Sequence, residues 1–150
     1  MLALFAFALA RSLPSDAPAR PADPLLESVD WDRTTPELTR LLSELLQIES
    51  VNPPGNELLA VDYLDRILQA EGIVTERVPL SDGRASLIAR LPGSGEQQPL
   101  CLLSHVDVVP VEAARWEVEP FSGLVKDGFV WGRGALDMKG MTALEVMTMI

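Results

Sequence analysis

The chain has 150 residues and a mass of 16.3 kDa, a size that fits one compact domain and argues against two. Hydrophobic residues make up 47% and charged residues 23%, which provides for a core and excludes wholesale disorder. Twelve basic against twenty-two acidic residues leave a net charge of −10 with no basic cluster, so a nucleic-acid partner is excluded as a first reading. The longest apolar run, Met1 to Ala10, is too short to span a bilayer, and the single cysteine, Cys101, rules out an internal disulfide framework.

Met1 to Ala10 ends in Ala8-Leu9-Ala10, the small-x-small pattern of a signal-peptidase site, although no basic residues precede it. This segment predicts export to the periplasm or beyond; an apolar start that is not a signal leaves the chain cytoplasmic. Arg11 to Pro24 is rich in Pro, Ala and Ser and reads as an extended linker, so folding is expected from residue 25 onward.

Thr34-Thr35-Pro36-Glu37 marks a helix start, with a threonine as cap and Pro36 in the first turn. Leu38, Leu41, Leu42, Leu45 and Leu46 follow on one face. Asn52-Pro53-Pro54-Gly55-Asn56 ends that helix and caps a second, from about Glu57 to a left-handed C-cap at Gly72. Strands are expected at Ile73 to Leu80 and Ser86 to Leu91 around Ser81-Asp82-Gly83, and a buried one at Leu100 to Leu103. A hairpin is expected around Asp127-Gly128, then a helix from about Met138 to the end. Together these give an α/β class with a mixed, largely buried sheet flanked by helices.

Candidate chemistry begins at Ser104-His105-Val106-Asp107. Side chains two apart on an extended segment share a face, so His105 and Asp107 suit a metal ligand with an orienting carboxylate. The bland alternative is a hydrogen-bonded structural histidine. The second constellation is Gly132-Arg133-Gly134-Ala135-Leu136-Asp137-Met138-Lys139-Gly140, between a strand and a helix. It meets neither phosphate-loop spacing nor G-x-G-x-x-G. Asp137 is either a ligand or simply a helix N-cap.

The order Ser-His-x-Asp-Val-Val-Pro, then W-x-x-x-P-F-S-G from Trp116, then D-G-x-x-x-G-R-G-x-x-D-M-K-G from Asp127, resembles the M20 family of metallopeptidases, which includes carboxypeptidases, aminoacylases and desuccinylases. The resemblance runs from about Leu38 to Ile150, takes in Val51 to Asn56 as the family's early loop, and is nearest to the carboxypeptidase S-like branch. It implies the N-terminal part of a zinc-peptidase catalytic domain over residues 25–150. It further implies two zinc ions, with cobalt or manganese as substitutes, cleavage of N-acyl amino acids or C-terminal dipeptides, and a homodimeric parent. Carried over by position, His105 ligates one zinc, Asp107 clamps the imidazole as the catalytic second carboxylate, and Asp137 bridges both ions.

The family's Glu-Glu pair, a further acidic ligand and a distant histidine have no counterpart here: the chain has one histidine, and Glu145 is its only acid after Asp137. The isolated chain is therefore expected to be inactive. The rival readings are a non-catalytic remnant or binding module, and another zinc hydrolase on a similar sheet. Cys101 and Met138, Met141, Met147 and Met149 are expected in the core, with Trp116, Phe121 and Trp131 packed beneath the active-site loop. Arg133 and Lys139 are expected to pair with backbone carbonyls or surface acids.

Overall fold

The computed structural model describes residues 7–8 and 28–150; the signal-like start (save Phe7–Ala8) and the linker at 11–24 lie outside the described residues. Three helices, α1 (Trp31–Leu46), α2 (Glu57–Ala70) and α3 (Lys139–Met149), combine with strands β1 (Phe7–Ala8), β2 (Val74–Ser81), β3 (Arg84–Arg90), β4 (Leu124–Lys126) and β5 (Phe129–Trp131). The class is α/β, as expected. Among the described residues the ladders form two antiparallel sheets, β1-β5-β4 and β2-β3, and one parallel bridge joins Val51 to Val108.

Helix α1 starts at Trp31, earlier than the threonines, because the Asp30 carboxylate accepts from the Arg33 amide at 3.2 Å and caps it. Pro36 lies inside the helix. So near the N-terminus, its missing N–H forfeits only the bond to the Asp32 carbonyl. Leu41, Leu42, Leu45 and Leu46 form the buried stripe, which packs with Ala60, Leu64 and Leu68 of α2, Val130 of β5, and Ala143 and Val146 of α3.

Helix α2 ends where Gly72 takes φ +75°, as its sequence position requires. The β2–β3 hairpin turns at Asp82-Gly83 and pairs Ser81 with Arg84. It is tied to α2 by Arg77, which bridges Asp62 and the buried Asp65, and by Arg84 on Glu57 at 2.9 Å. The β4–β5 hairpin turns through Asp127 at φ +55° and Gly128 at φ +80°. Two successive left-handed residues are the geometry a tight two-residue hairpin demands, which explains the Asp-Gly pair.

The buried strand expected at Leu100 to Leu103 does not form. Leu100 and Leu103 are each 83% exposed, and Cys101 is exposed rather than a core residue. Among the described residues no strand lies beside 100–105. Backbone pairing reaches this segment only at its end, where the Asn52 amide donates to the Val108 carbonyl and the Val108 amide to the Ser50 carbonyl, both at 2.9 Å. An apolar run becomes a buried strand only when neighbours cover its edges and faces. The methionines divide: Met147 and Met149 pack on the core, whereas Met141 on the outer face of α3 is 47% exposed.

Candidate metal-binding site

The segment carrying His105 is held on three sides. Ser50, fully buried in the α1–α2 loop, donates its hydroxyl to the Val106 carbonyl at 2.5 Å. Thr142 of α3 donates its hydroxyl to the His105 carbonyl at 3.4 Å. The loop 132–137 lies against Val108 at Gly134, whose φ is +87° and where an added Cβ would stand 2.6 Å from Val108 Cγ1. Glycine is required there twice over, for the backbone angle and for the approach.

That approach brings the two sequence motifs together. His105 Nδ1 lies 3.0 Å from Asp107 Oδ1, and Nε2 lies 3.1 Å from Asp137 Oδ1. Asn52 donates Nδ2–H to Asp107 Oδ2 at 2.9 Å, so both oxygens of that carboxylate are engaged. Asp107 is held below the ordinary carboxylate pKa, first by the Asn52 hydrogen bond and then, against burial, by His105. For His105, partial burial opposes protonation, but Asp137 and Asp107 outweigh it and raise the pKa.

Asp137 is not the helix N-cap. Met138 occupies that position, no side chain caps α3, and the Asp137 carboxylate is 86% exposed, turned to the imidazole. A separation of 3.1 Å between Nε2 and Oδ1 suits two ligands of one ion with bonds of about 2.0–2.1 Å. His105, Asp107 and Asp137 thus fit as part of a metal centre: Nδ1 is held by Asp107, and Nε2 faces the Asp137 carboxylate, where an ion would take the place of the proton between them. Among the described residues no group of three or more His, Cys, Asp or Glu side chains could hold an ion unaided.

Lys139, the first residue of α3, is fully buried and donates Nζ–H to the carbonyls of Leu45 at 3.1 Å and Ile48 at 2.7 Å. Pairing with backbone carbonyls is as expected; that these are the carbonyls at the C-terminal end of α1 is shown only by the structure, and desolvation lowers the Lys139 pKa to about 8. Arg133 departs from that expectation: among the described residues its guanidinium pairs with neither carbonyl nor acid, and its Cζ lies over the Trp116 ring, 5.2 Å from the centroid. Asn52 was placed by the sequence only in an early loop. Its signal is an amide side chain directly before Pro53-Pro54, in the loop whose backbone pairs with Val108.

Residues 101–149 match the model of Peptidase family M20/M25/M40. Succinyl-diaminopimelate desuccinylase from Ruegeria pomeroyi is 40% identical over 113 residues, covering 75% of this chain and 29% of that protein. The enzymes of that name from Xanthobacter autotrophicus and Rhodopseudomonas palustris are 39% and 37% identical, covering 69% and 75% of this chain and 28% and 30% of those proteins. The chain therefore spans less than a third of the length of these curated relatives. Both motifs that meet at His105 fall within the matched segment, and the chain belongs to the peptidase M20 family.

Proposed function

We propose that the full-length protein is a zinc-dependent hydrolase of amide bonds in N-acyl amino acids or C-terminal dipeptides, and that His105 and Asp137 are metal ligands in it. The observation that carries this reading is the imidazole of His105 engaged at both nitrogens, by Asp107 at 3.0 Å and by Asp137 at 3.1 Å. Membership in a hydrolase family whose relatives include desuccinylases supports amide cleavage in general.

When bound, such ions polarise the scissile carbonyl and lower the pKa of water, making a nucleophile available near neutral pH. The residues of this chain prepare that chemistry. Asp107 stands at His105 Nδ1 with its backbone carbonyl at 3.2 Å and its carboxylate at 3.0 Å, acceptors that favour the proton on Nδ1 and would leave Nε2 to an ion. Asn52 keeps the Asp107 carboxylate from rotating. Asp137, with two oxygens on an exposed side chain, is the group able to span two cations.

With one histidine and no cluster of three ligands among the described residues, the 150-residue chain alone should bind zinc weakly and turn over nothing. The full-length protein should lose hydrolysis of N-acyl amino acids on prolonged dialysis against chelator and regain it with zinc or cobalt. Full activity in excess chelator would refute the assignment.

Export is proposed on the apolar start alone, and no helix among the described residues is long and apolar enough to cross a membrane. Cell fractionation with N-terminal sequencing decides it, and a cytosolic protein that keeps its apolar start would overturn it.

A further inference from the structure

The chain has two lysines, and they sit in opposite surroundings. Lys126 is exposed beside Asp127, at 4.0 Å. Lys139 is fully buried, and among the described residues no carboxylate lies within 4.0 Å of it; its ammonium rests on the carbonyls of Leu45 and Ile48. Burying a cation without an acid is costly, and an apolar side chain of similar volume would fill the space at less cost. The carbonyls do not call for it either. The Ile48 amide donates to the Leu45 carbonyl at 3.3 Å and the Ser50 amide to the Ile48 carbonyl at 3.0 Å, so the turn after α1 already supplies each with a donor. What the ammonium adds is a connection, through hydrogen bonds that its charge strengthens.

The two ends of that connection lead to the two halves of the candidate centre. Lys139 is two residues past Asp137, and its amide donates to the Gly134 carbonyl at 2.9 Å, which closes the loop holding Asp137. A Cβ at Gly134 would stand 3.4 Å from Lys139 Cδ, so the lysine stem runs beside the same loop. On the far side, the Ser50 whose amide reaches Ile48 donates its hydroxyl to the Val106 carbonyl and accepts from the Val108 amide, on either side of Asp107. One acceptor, the Ile48 carbonyl, thus takes a donor from the Asp137 side at 2.7 Å and a donor from the His105 side at 3.0 Å.

Asp137 needs such a support. Its carboxylate is 86% exposed, and among the described residues its only hydrogen bond is to His105. A side chain so little packed takes its position from its backbone, while binding constellations must be held to within about 0.5 Å.

We propose that Lys139 is a positioning residue of the metal centre: by joining the Asp137 loop to the Ile48–Ser50 turn, it sets the separation of Asp137 from His105. The inference rests on the reading above of those two residues as ligands.

The test titrates cobalt(II) into the metal-free full-length protein and follows its visible absorption, which reports coordination geometry. Lys139→Met, which keeps the stem and removes the donors, should raise the cobalt dissociation constant about 10- to 100-fold and shift the visible bands. Lys139→Gln, which keeps an N–H for a carbonyl, should recover part of the affinity. Leu64→Ala, in the core on α2, should lower the urea midpoint and leave both cobalt readouts unchanged, which separates positioning from stability. Lys139→Met and Ser50→Ala cut one link at two points, so the double variant should lose little more affinity than the worse single. If Lys139→Met fails to fold by circular dichroism, the Lys139→Gln loss set against Leu64→Ala carries the test. A folded Lys139→Met with unchanged bands and affinity would overturn the proposal, as would losses that multiply in the double variant. Hydrogen exchange of the metal-free protein keeps the two readings apart, since Lys139→Met should speed exchange of the Val108 amide relative to those of the β2–β3 hairpin. That acceleration, with cobalt affinity unmoved by Asp137→Ala, would leave the Lys139 link standing and remove the ligand reading. Cobalt affinity that depends on Asp137 and not on Lys139 would do the reverse.

Discussion

Asn52 and Asp107 are 55 residues apart in sequence and joined by a 2.9 Å hydrogen bond, Nδ2–H to Oδ2, that leaves Asp107 Oδ1 to face His105. The histidine's orientation is thereby tied to the loop between α1 and α2. Groups that orient a metal-binding histidine typically contribute about 10- to 100-fold in metal affinity or activity. Asp107→Ala should fall in that range in the full-length protein. Asn52→Leu, one bond further out, should fall below it, and Asp137→Ala should exceed both because it removes a ligand. Zinc dissociation constants and kcat/KM for the three variants give the ranking, and an Asp107→Ala loss greater than that of Asp137→Ala would reverse the division of roles.

Gly134 and Gly128 both have positive φ, at +87° and +80°, but a Cβ at Gly134 meets Val108 Cγ1 at 2.6 Å while Gly128 has nothing within 4 Å. Gly128→Ala should therefore cost about 1–2 kcal/mol, the backbone strain of a left-handed alanine. Gly134→Ala adds overlap with a buried side chain, about 1–3 kcal/mol more. It should also weaken metal binding by pushing the Asp137 loop off Val108. Urea midpoints provide the comparison. In a double-mutant cycle, Val108→Ala should recover part of the Gly134→Ala loss.

What could be read from the sequence was local chemistry. Asp127-Gly128 and Gly72 required left-handed backbone, and the structure supplies it at φ +55°, +80° and +75°. The leucines of α1 declared their face by spacing alone. Thr34, Thr35 and Pro36 make a cap signal as good as Asp30 and place the start of α1 too late, since only the fold chooses between them. Leu100 to Leu103 reads as buried because an apolar run says what a segment can pack against, not whether anything lies beside it. The meeting of His105 and Asp137 came from motif resemblance, since nothing local links residues 32 apart. The isolation of Arg133 depends on where every acid ended up, which no window of sequence contains.

Asp65 of α2 supplies a pH dependence of stability. Its carboxylate is buried and accepts from Thr75, Arg77 and Gln69. The Thr75 hydrogen bond first, then those of Arg77 and Gln69, hold its pKa below the ordinary 3.8 despite burial. Between that ordinary value and the folded one, the unfolded chain takes up a proton that the folded chain refuses. This contribution is complete above about pH 4 and is lost as pH falls through the folded pKa. Asp65→Asn should destabilise at pH 7 by about 1.5–3 kcal/mol, the worth of hydrogen bonds to a charged group. It should also flatten the acid limb of stability against pH measured by urea denaturation. An acid limb unchanged in Asp65→Asn would mean other carboxylates carry the effect.

Leu100 and Leu103 are each 83% exposed on an extended segment that has no strand beside it, with Leu102 between them at 39%. Because alternate side chains of an extended segment point to opposite sides, Leu100 and Leu103 burden both faces with apolar surface. The backbone N–H and C=O groups of the same stretch present an open edge, the feature most prone to pairing with another chain. Two liabilities coincide, so the 150-residue chain by itself should self-associate at micromolar concentration despite its charge of −10. Light scattering after size exclusion should show species larger than the monomer, and a dye specific for exposed apolar surface should bind. Leu100→Asp combined with Leu103→Lys should shift the population toward monomer without lowering the urea midpoint, because neither side chain packs in the core. Raising salt should increase association of the unsubstituted chain by screening the repulsion between acidic copies. A chain that stays monomeric at high salt would show that backbone solvation and net charge suffice to protect this edge.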